Sequence, residues 1–123
     1  MCDDPSLTVA DLRAEMFRTI ERFGWMVQYV EAEPGFDSFA YTVGLAGRGL
    51  PELHVTGLSA PAAATLLNHA ARELTKGGLG PCDIYTGPEG HEYLLGQMVD
   101  VGDLLGAIEV YGPDIDALNL TPY

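Results

Sequence analysis

Apolar residues recur along the chain at two spacings, one typical of helices and the other typical of strands. Across Val9–Phe23 they fall every three or four positions, with Arg and Glu between them, which predicts an amphipathic helix. Thr8 is placed to cap this helix, and Gly24 is placed to end it in a left-handed conformation. A second apolar stripe follows the cap residue Ser59 and stops at Gly77, which predicts a second helix.

Alternating apolar residues mark the strands. This pattern predicts strands at 25–32, 39–45 and 53–58, and weaker ones at 82–86, 93–101 and 117–121. We expect the strand at 82–86 at a sheet edge, and a short third helix capped by Asp103 at 103–111. The fold expected is a single α+β domain over residues 1–123, with an antiparallel β-sheet and two principal helices packed on one face. A small split or closed barrel with helices is the alternative.

The charge balance narrows the choice of partners. The 123 residues hold 18 carboxylates and 6 basic side chains, a net charge of −12, and no Lys or Arg follows position 76. This charge repels phosphate, so neither nucleic acid nor an anionic membrane is an expected partner. A protein partner with a basic surface suits it, although the charge also serves simple solubility. The candidate partner-binding residues are Asp100, Asp103, Glu109, Asp114 and Asp116.

The cysteines and the N-terminus bear on the compartment. Cys2 and Cys82 are the two cysteines, and the first residues lack the basic and apolar regions of a secretory signal. We therefore expect a cytoplasmic protein with free thiols. The oligomeric state stays open, with a homodimer as one alternative.

A polar surface on two neighbouring strands is the main candidate site. Small residues alternate with large ones in the strand at 39–45, which lets a ligand or another element approach closely. If this strand pairs with the next one, polar side chains from both strands form a shallow patch. A packed helix or water is the simpler explanation of such a surface. The candidate ligand-binding residues are Tyr41, Thr42, Glu52, His54 and Thr56.

Motifs for catalysis and metal binding are lacking in the sequence. The three histidines, His54, His69 and His91, show no metal-ligand spacing, and there is no nucleophile elbow or phosphate-binding loop. We therefore expect no catalytic residue, no metal and no cofactor. A non-catalytic protein-binding or regulatory role is the leading hypothesis. A small-molecule-binding or enzymatic domain that uses the patch is the alternative, and an acidic mimic of DNA is a third.

Several segments, taken in order, resemble a known family. They are Phe23-Gly-Trp-Met-Val-Gln-Tyr-Val30, Tyr41-Thr-Val-Gly-Leu45, Leu50-Pro-Glu-Leu53, Leu66-Leu-Asn68, Val110-Tyr-Gly-Pro113 and Ala117-Leu-Asn-Leu120. Together they resemble the uncharacterised bacterial family known as domain of unknown function 4262, over nearly the whole chain. The resemblance implies a bacterial, phage or mobile-element origin and no particular activity, because the family has no established one.

The chain departs from this family at three places. Phe23 stands where members often have a histidine, and Cys2 lacks the second early cysteine of many members. Members usually continue into a tail that contains Trp and Pro, whereas this chain stops at Tyr123. An activity that needed those features is not expected here.

Overall fold

Three helices and six strands account for most of residues 9–112 and 114–123, which are the residues that the computed structural model describes. The helices are α1 (Val9–Phe23), α2 (Ala60–Thr75) and α3 (Leu105–Tyr111). The strands are β1 (Met26–Val30), β2 (Phe39–Val43), β3 (Glu52–Thr56), β4 (Ile84–Thr86), β5 (Glu92–Gln97) and β6 (Ala117–Pro122). A 3₁₀ turn at Leu45–Arg48 links β2 to β3. Within the described ranges, no helix is long and apolar enough to cross a membrane.

The strands form one open sheet in the order β1-β2-β3-β6-β5-β4. All neighbours are antiparallel except β3 and β6, which run parallel. The last strand therefore enters the middle of the sheet, and β1 and β4 form its two edges. The α+β class and the mostly antiparallel sheet are confirmed, β4 is the predicted edge strand, and the sheet does not close into the alternative barrel.

Helices cover both faces of this sheet, rather than one face as the sequence suggested. On the first, here called the α2 face, residues of α2 pack against apolar side chains of the strands: Ala40, Leu53, Val55, Tyr85, Leu95, Leu118 and Leu120. On the opposite, α3 face, side chains of α1 and α3 pack against Tyr41, Val43 and Ala117. The physical reason lies in β1 and β2, which carry apolar side chains at both odd and even positions. Each face of these strands therefore needs a cover.

The predicted ends of the helices are largely confirmed. Gly24 ends α1 with φ +95° and donates its N–H to Ile20, as expected of a left-handed cap. The Ser59 side chain accepts an N–H from the first turn of α2. Thr8, the cap predicted for α1, lies outside the described residues.

Asp103 does not cap α3, which is a correction to the prediction. The helix begins one residue later, at an N-cap residue, Leu104, that makes no side-chain hydrogen bond. Leu104 closes a turn through its N–H to the carbonyl of Val101, and its side chain is fully buried. Because burial of the Leu104 side chain is favourable, the helix begins after this residue, and Asp103 stays exposed to solvent.

Candidate binding sites

A groove of about 600 Å³ lies between α2 and the hairpin formed by β4 and β5. Apolar side chains make up most of its walls, including Leu58, Pro61, Leu66, Tyr93 and Pro122. Its volume falls within the range of about 300–1,000 Å³ that is common for ligand pockets. The groove therefore has the size and the lining of a binding site.

Apart from one histidine and the tyrosines, the ionisable side chains with which the described residues line the groove's edge are carboxylates. Glu89 and Glu92 are exposed at its edge, and His91 lies between them in the chain. No Lys or Arg is among the described residues that line it. An occupant with apolar groups and a positive charge is therefore the best match to this surface.

A hydrogen-bonded pair of side chains fixes α2 against the hairpin that forms the other wall. The Tyr85 hydroxyl lies 2.5 Å from Nδ1 of His69, and the two rings are 5.7 Å apart. Burial, the main cause, raises the pKa of Tyr85 to about 12, so the hydroxyl keeps its proton at neutral pH. His69 thus has a structural role beside the groove.

A second, shallower cavity of about 360 Å³ opens on the α3 face where β3, β6 and β5 adjoin. We call it the His54 depression. Gly96 lies opposite Asn119 in the sheet, and both line the depression together with His54 and Thr56. His54 is 4% exposed, and its Nδ1 lies 2.9 Å from Oδ1 of Asn119. Its Nε2 is buried with no hydrogen-bond partner among the described residues.

The five residues predicted as a ligand-binding patch fall into three places. His54 and Thr56 lie together in the His54 depression. Tyr41 is buried, and its hydroxyl accepts the N–H of Gly106 at 2.9 Å, which joins β2 to α3. Thr42 and Glu52 instead bond to each other at the end of β2, with Oγ1 donating to Oε1 at 2.7 Å.

Glu52 is engaged entirely by the protein. Its two carboxylate oxygens accept four hydrogen bonds, from the Thr42 hydroxyl and from the N–H groups of Gly44, Leu45 and Ala46. The residue is fully buried, and this burial raises its pKa although the hydrogen bonds oppose the shift. The carboxylate therefore organises the start of the 3₁₀ turn and is not available to a ligand.

The residues that sequence reasoning missed are Asn119 and the walls of the groove. Asn119 belongs to the last strand, and its place beside His54 depends on the parallel pairing of β3 with β6. For the groove, one signal was present. Gly87 and Gly90 lie between two apolar strands and indicate a hairpin turn, but nothing in that signal shows that the hairpin faces α2.

A model of the family described as Domain of unknown function (DUF4262) matches residues 19–121. The chain belongs to this family. No curated protein and no solved structure is significantly similar to it. The resemblance predicted from the sequence segments is thus confirmed over nearly the whole chain.

Side-chain hydrogen bonds join segments on which the DUF4262 resemblance rests. The Trp25 indole N–H donates to Oδ1 of Asn68 at 2.9 Å, which links the residue just before β1 to α2. Glu52 of the Pro-Glu-Leu segment accepts the N–H of Gly44 from the Tyr-Thr-Val-Gly-Leu segment at 2.9 Å. These motif residues therefore hold elements of the fold together.

The acidic residues predicted to bind a partner lie at the opposite end of β5 from the groove. All five are exposed, in the loop after β5, on α3 and in the loop before β6: Asp100, Asp103, Glu109, Asp114 and Asp116. Asp100 borders the His54 depression, and none of the five lines the groove. This DUF4262 domain thus presents acidic side chains at both ends of β5.

Proposed function

We propose that this DUF4262 domain is a non-catalytic protein-binding domain with a regulatory role. It binds a segment of a partner protein that carries apolar side chains and flanking Lys or Arg residues. The segment lies in the groove between α2 and the β4–β5 hairpin. The observation that carries the proposal is the combination of an apolar lining with Glu89 and Glu92 at the edge.

The affinity comes from apolar burial, and the preference for a basic segment comes from charge. Each apolar side chain that leaves water for the groove contributes about 1.5–3 kcal/mol. Glu89 and Glu92 attract a cation at the edge, while the net charge of −12 repels acidic competitors. The acidic residues around α3 act over a longer range and raise the association rate of a basic partner.

A peptide-display selection tests this function directly. The probe is a random-sequence peptide library, selected on wild type, on Ala62→Trp and on Ala60→Trp. Ala62 lines the groove, so a tryptophan there fills it, whereas Ala60 is exposed on the same helical turn outside the groove. Wild type and Ala60→Trp should enrich peptides with an apolar anchor next to Lys or Arg. Ala62→Trp should lose them.

A selection that enriches acidic peptides, or one that Ala62→Trp leaves unchanged, would overturn the proposal. Two charge variants then distinguish the effect of the carboxylates at the edge of the groove on peptide binding from the effect of the distant acidic residues. Glu89→Gln with Glu92→Gln should lower the affinity of a selected peptide about tenfold. The matched pair Asp103→Asn with Asp114→Asn removes the same charge outside the groove, so it should slow association and leave the dissociation rate unchanged.

A further inference from the structure

We infer that the His54 depression is a second binding site, for a small organic cation that carries N–H donors and an apolar body. The inference is independent of the groove, because the described linings of the two sites have no residue in common. It rests on an unpaired imidazole nitrogen, on the side-chain-free floor at Gly96 and on the carboxylate of Asp100.

The imidazole of His54 has a defined tautomer. Nδ2 of Asn119 donates to Oγ1 of Thr121 at 3.0 Å, so Oδ1 is the atom that faces His54. An amide oxygen only accepts hydrogen bonds, and Nδ1 of the neutral imidazole therefore carries the proton. Nε2 is then an acceptor with a free lone pair, in a side chain that is 96% buried. A ligand N–H that reached Nε2 would satisfy a group that burial otherwise leaves unpaired.

Gly96 provides the space for a ligand. Glycine inside a strand weakens it and often marks a place where a ligand or another backbone approaches closely. A Cβ built on Gly96 meets a single described heavy atom within 4 Å, the carbonyl oxygen of Asn119, at 4.0 Å. The absence of a side chain in mid-strand therefore leaves an opening beside Asn119, in the same depression as His54.

The other lining residues define the ligand's charge and shape. Asp100 carries the one carboxylate among the described residues that line the depression, and its Oδ1 accepts the N–H of Gly102. Its second oxygen is left for a cation. Val99 is fully exposed and Met98 lies beside it, which suits an apolar or aromatic group. One imidazole and one carboxylate are fewer than the three protein ligands of a typical zinc site, so an organic cation fits better than a metal ion.

The test uses benzamidine, an aromatic amidinium with several N–H donors, and side-chain ¹⁵N spectra of the histidines. Free wild type should show His54 as the Nδ1–H tautomer, and added benzamidine should shift its Nε2 resonance to a hydrogen-bonded value. Gly96→Val fills the opening with a residue that strands accommodate well, and it should weaken benzamidine binding by about tenfold or more. Thr86→Val exchanges one β-branched side chain for another of similar size, on the same sheet face but outside the depression, and should change the affinity less than about twofold.

Amide spectra and urea unfolding of both variants serve as the check that the fold is retained. The inference is overturned if benzamidine does not bind at millimolar concentration, or if it binds without moving the His54 resonance. Equal affinity of Gly96→Val and wild type would also overturn it. Ala62→Trp, which fills the groove, should bind benzamidine as wild type does. A failure of benzamidine to bind the His54 depression therefore does not contradict the proposed function of the groove. A failure of peptides to bind the groove likewise does not contradict the inference about the depression.

Discussion

Among the described residues, Cys82 is the one non-glycine residue with a positive φ, at +70°. It lies in the turn before β4, where its N–H donates to the carbonyl of Leu95 at 2.7 Å. The left-handed conformation brings Cβ close to the following carbonyl and costs about 1–2 kcal/mol. The hydrogen bond that extends the β4–β5 pairing offsets this strain.

Cys82→Gly should therefore stabilise the protein. Glycine adopts this conformation without strain, and we expect the free energy of unfolding to rise by about 0.5–1 kcal/mol after the entropy of glycine in the unfolded chain is counted. Urea unfolding followed by circular dichroism measures the change. Cys82→Ala is the control, because it removes the thiol but keeps Cβ. An equal gain in both variants would assign the effect to the thiol and contradict the argument.

Glu52→Gln should destabilise the fold at neutral pH. Both oxygens of the carboxylate accept N–H groups, and Oε2 accepts those of Gly44 and Ala46. A glutamine NH₂ in that place would face two donors and leave them unpaired, which costs about 1–3 kcal/mol. Glu31→Gln, on an exposed glutamate, is the matched control and should leave stability unchanged. Urea unfolding at pH 7 compares the two variants.

The same residue predicts a pH dependence of stability. Burial raises the pKa of Glu52 above its ordinary value of 4.5, so the folded chain holds this proton more tightly than the unfolded chain. Its contribution to stability is fully present below pH 4.5 and is lost as pH rises through the folded pKa. The difference in unfolding free energy between wild type and Glu52→Gln should thus shrink as pH increases. If the difference in unfolding free energy instead grew as pH rises, the proton would not be held more tightly by Glu52 in the folded chain.

At the scale of elements, Gly44 allows the start of β1 and the end of β2 to lie in close contact. Its φ is +134°, and a Cβ built there would lie 2.7 Å from Cα of Trp25 and 2.9 Å from the Gly24 carbonyl oxygen. Both neighbours are backbone atoms and cannot yield without moving a strand. The turn that Glu52 organises therefore depends on a glycine at this position.

Gly44→Ala should cost about 2–4 kcal/mol of stability, because steric overlap is added to backbone strain. Gly49→Ala is the matched control. Gly49 also has a positive φ, +75°, but a Cβ there meets nothing within 4 Å, so it should cost only about 1 kcal/mol. Thermal and urea unfolding of both variants give the comparison. Equal losses would show that the contact with Trp25 has no energetic effect.

At the scale of the whole molecule, like charges dominate the surface. The ion pairs Arg18–Glu15 and Lys76–Glu73 are both exposed. Exposed pairs contribute little, and they leave the net charge of −12 unchanged. Repulsion among the carboxylates is therefore a destabilising contribution that belongs to the molecule as a whole.

Salt should therefore stabilise the protein. Raising NaCl from about 10 mM to about 150 mM shortens the screening length from about 30 Å to about 8 Å. We expect the unfolding free energy to increase by about 1 kcal/mol, since the folded state concentrates the charges more than the unfolded chain does. KCl at the same concentration should act equally if screening is the cause. A loss of stability with added salt would mean that attractive ion pairs outweigh the repulsion.

Local patterns were enough to predict the elements of this protein. The apolar stripes of α1 and α2, their ends at Gly24 and Ser59, and the short strands follow from interactions between residues near one another in the chain. The DUF4262 segments could be read in the same way, because they are contiguous. Asp103 is an exception even at this local level. It is a suitable cap residue, but the helix begins after Leu104, whose side chain is buried.

The sites were decided by tertiary structure. His54 and Glu52 could be singled out in the sequence, yet their different roles depend on Asn119 in one case and on the turn after Gly44 in the other. The groove needs α2 and the β4–β5 hairpin on the same face, and the His54 depression needs β6 between β3 and β5. Periodicity shows which face of a strand is apolar, but strand order and the choice of cover for each face come from contacts between residues far apart in the chain.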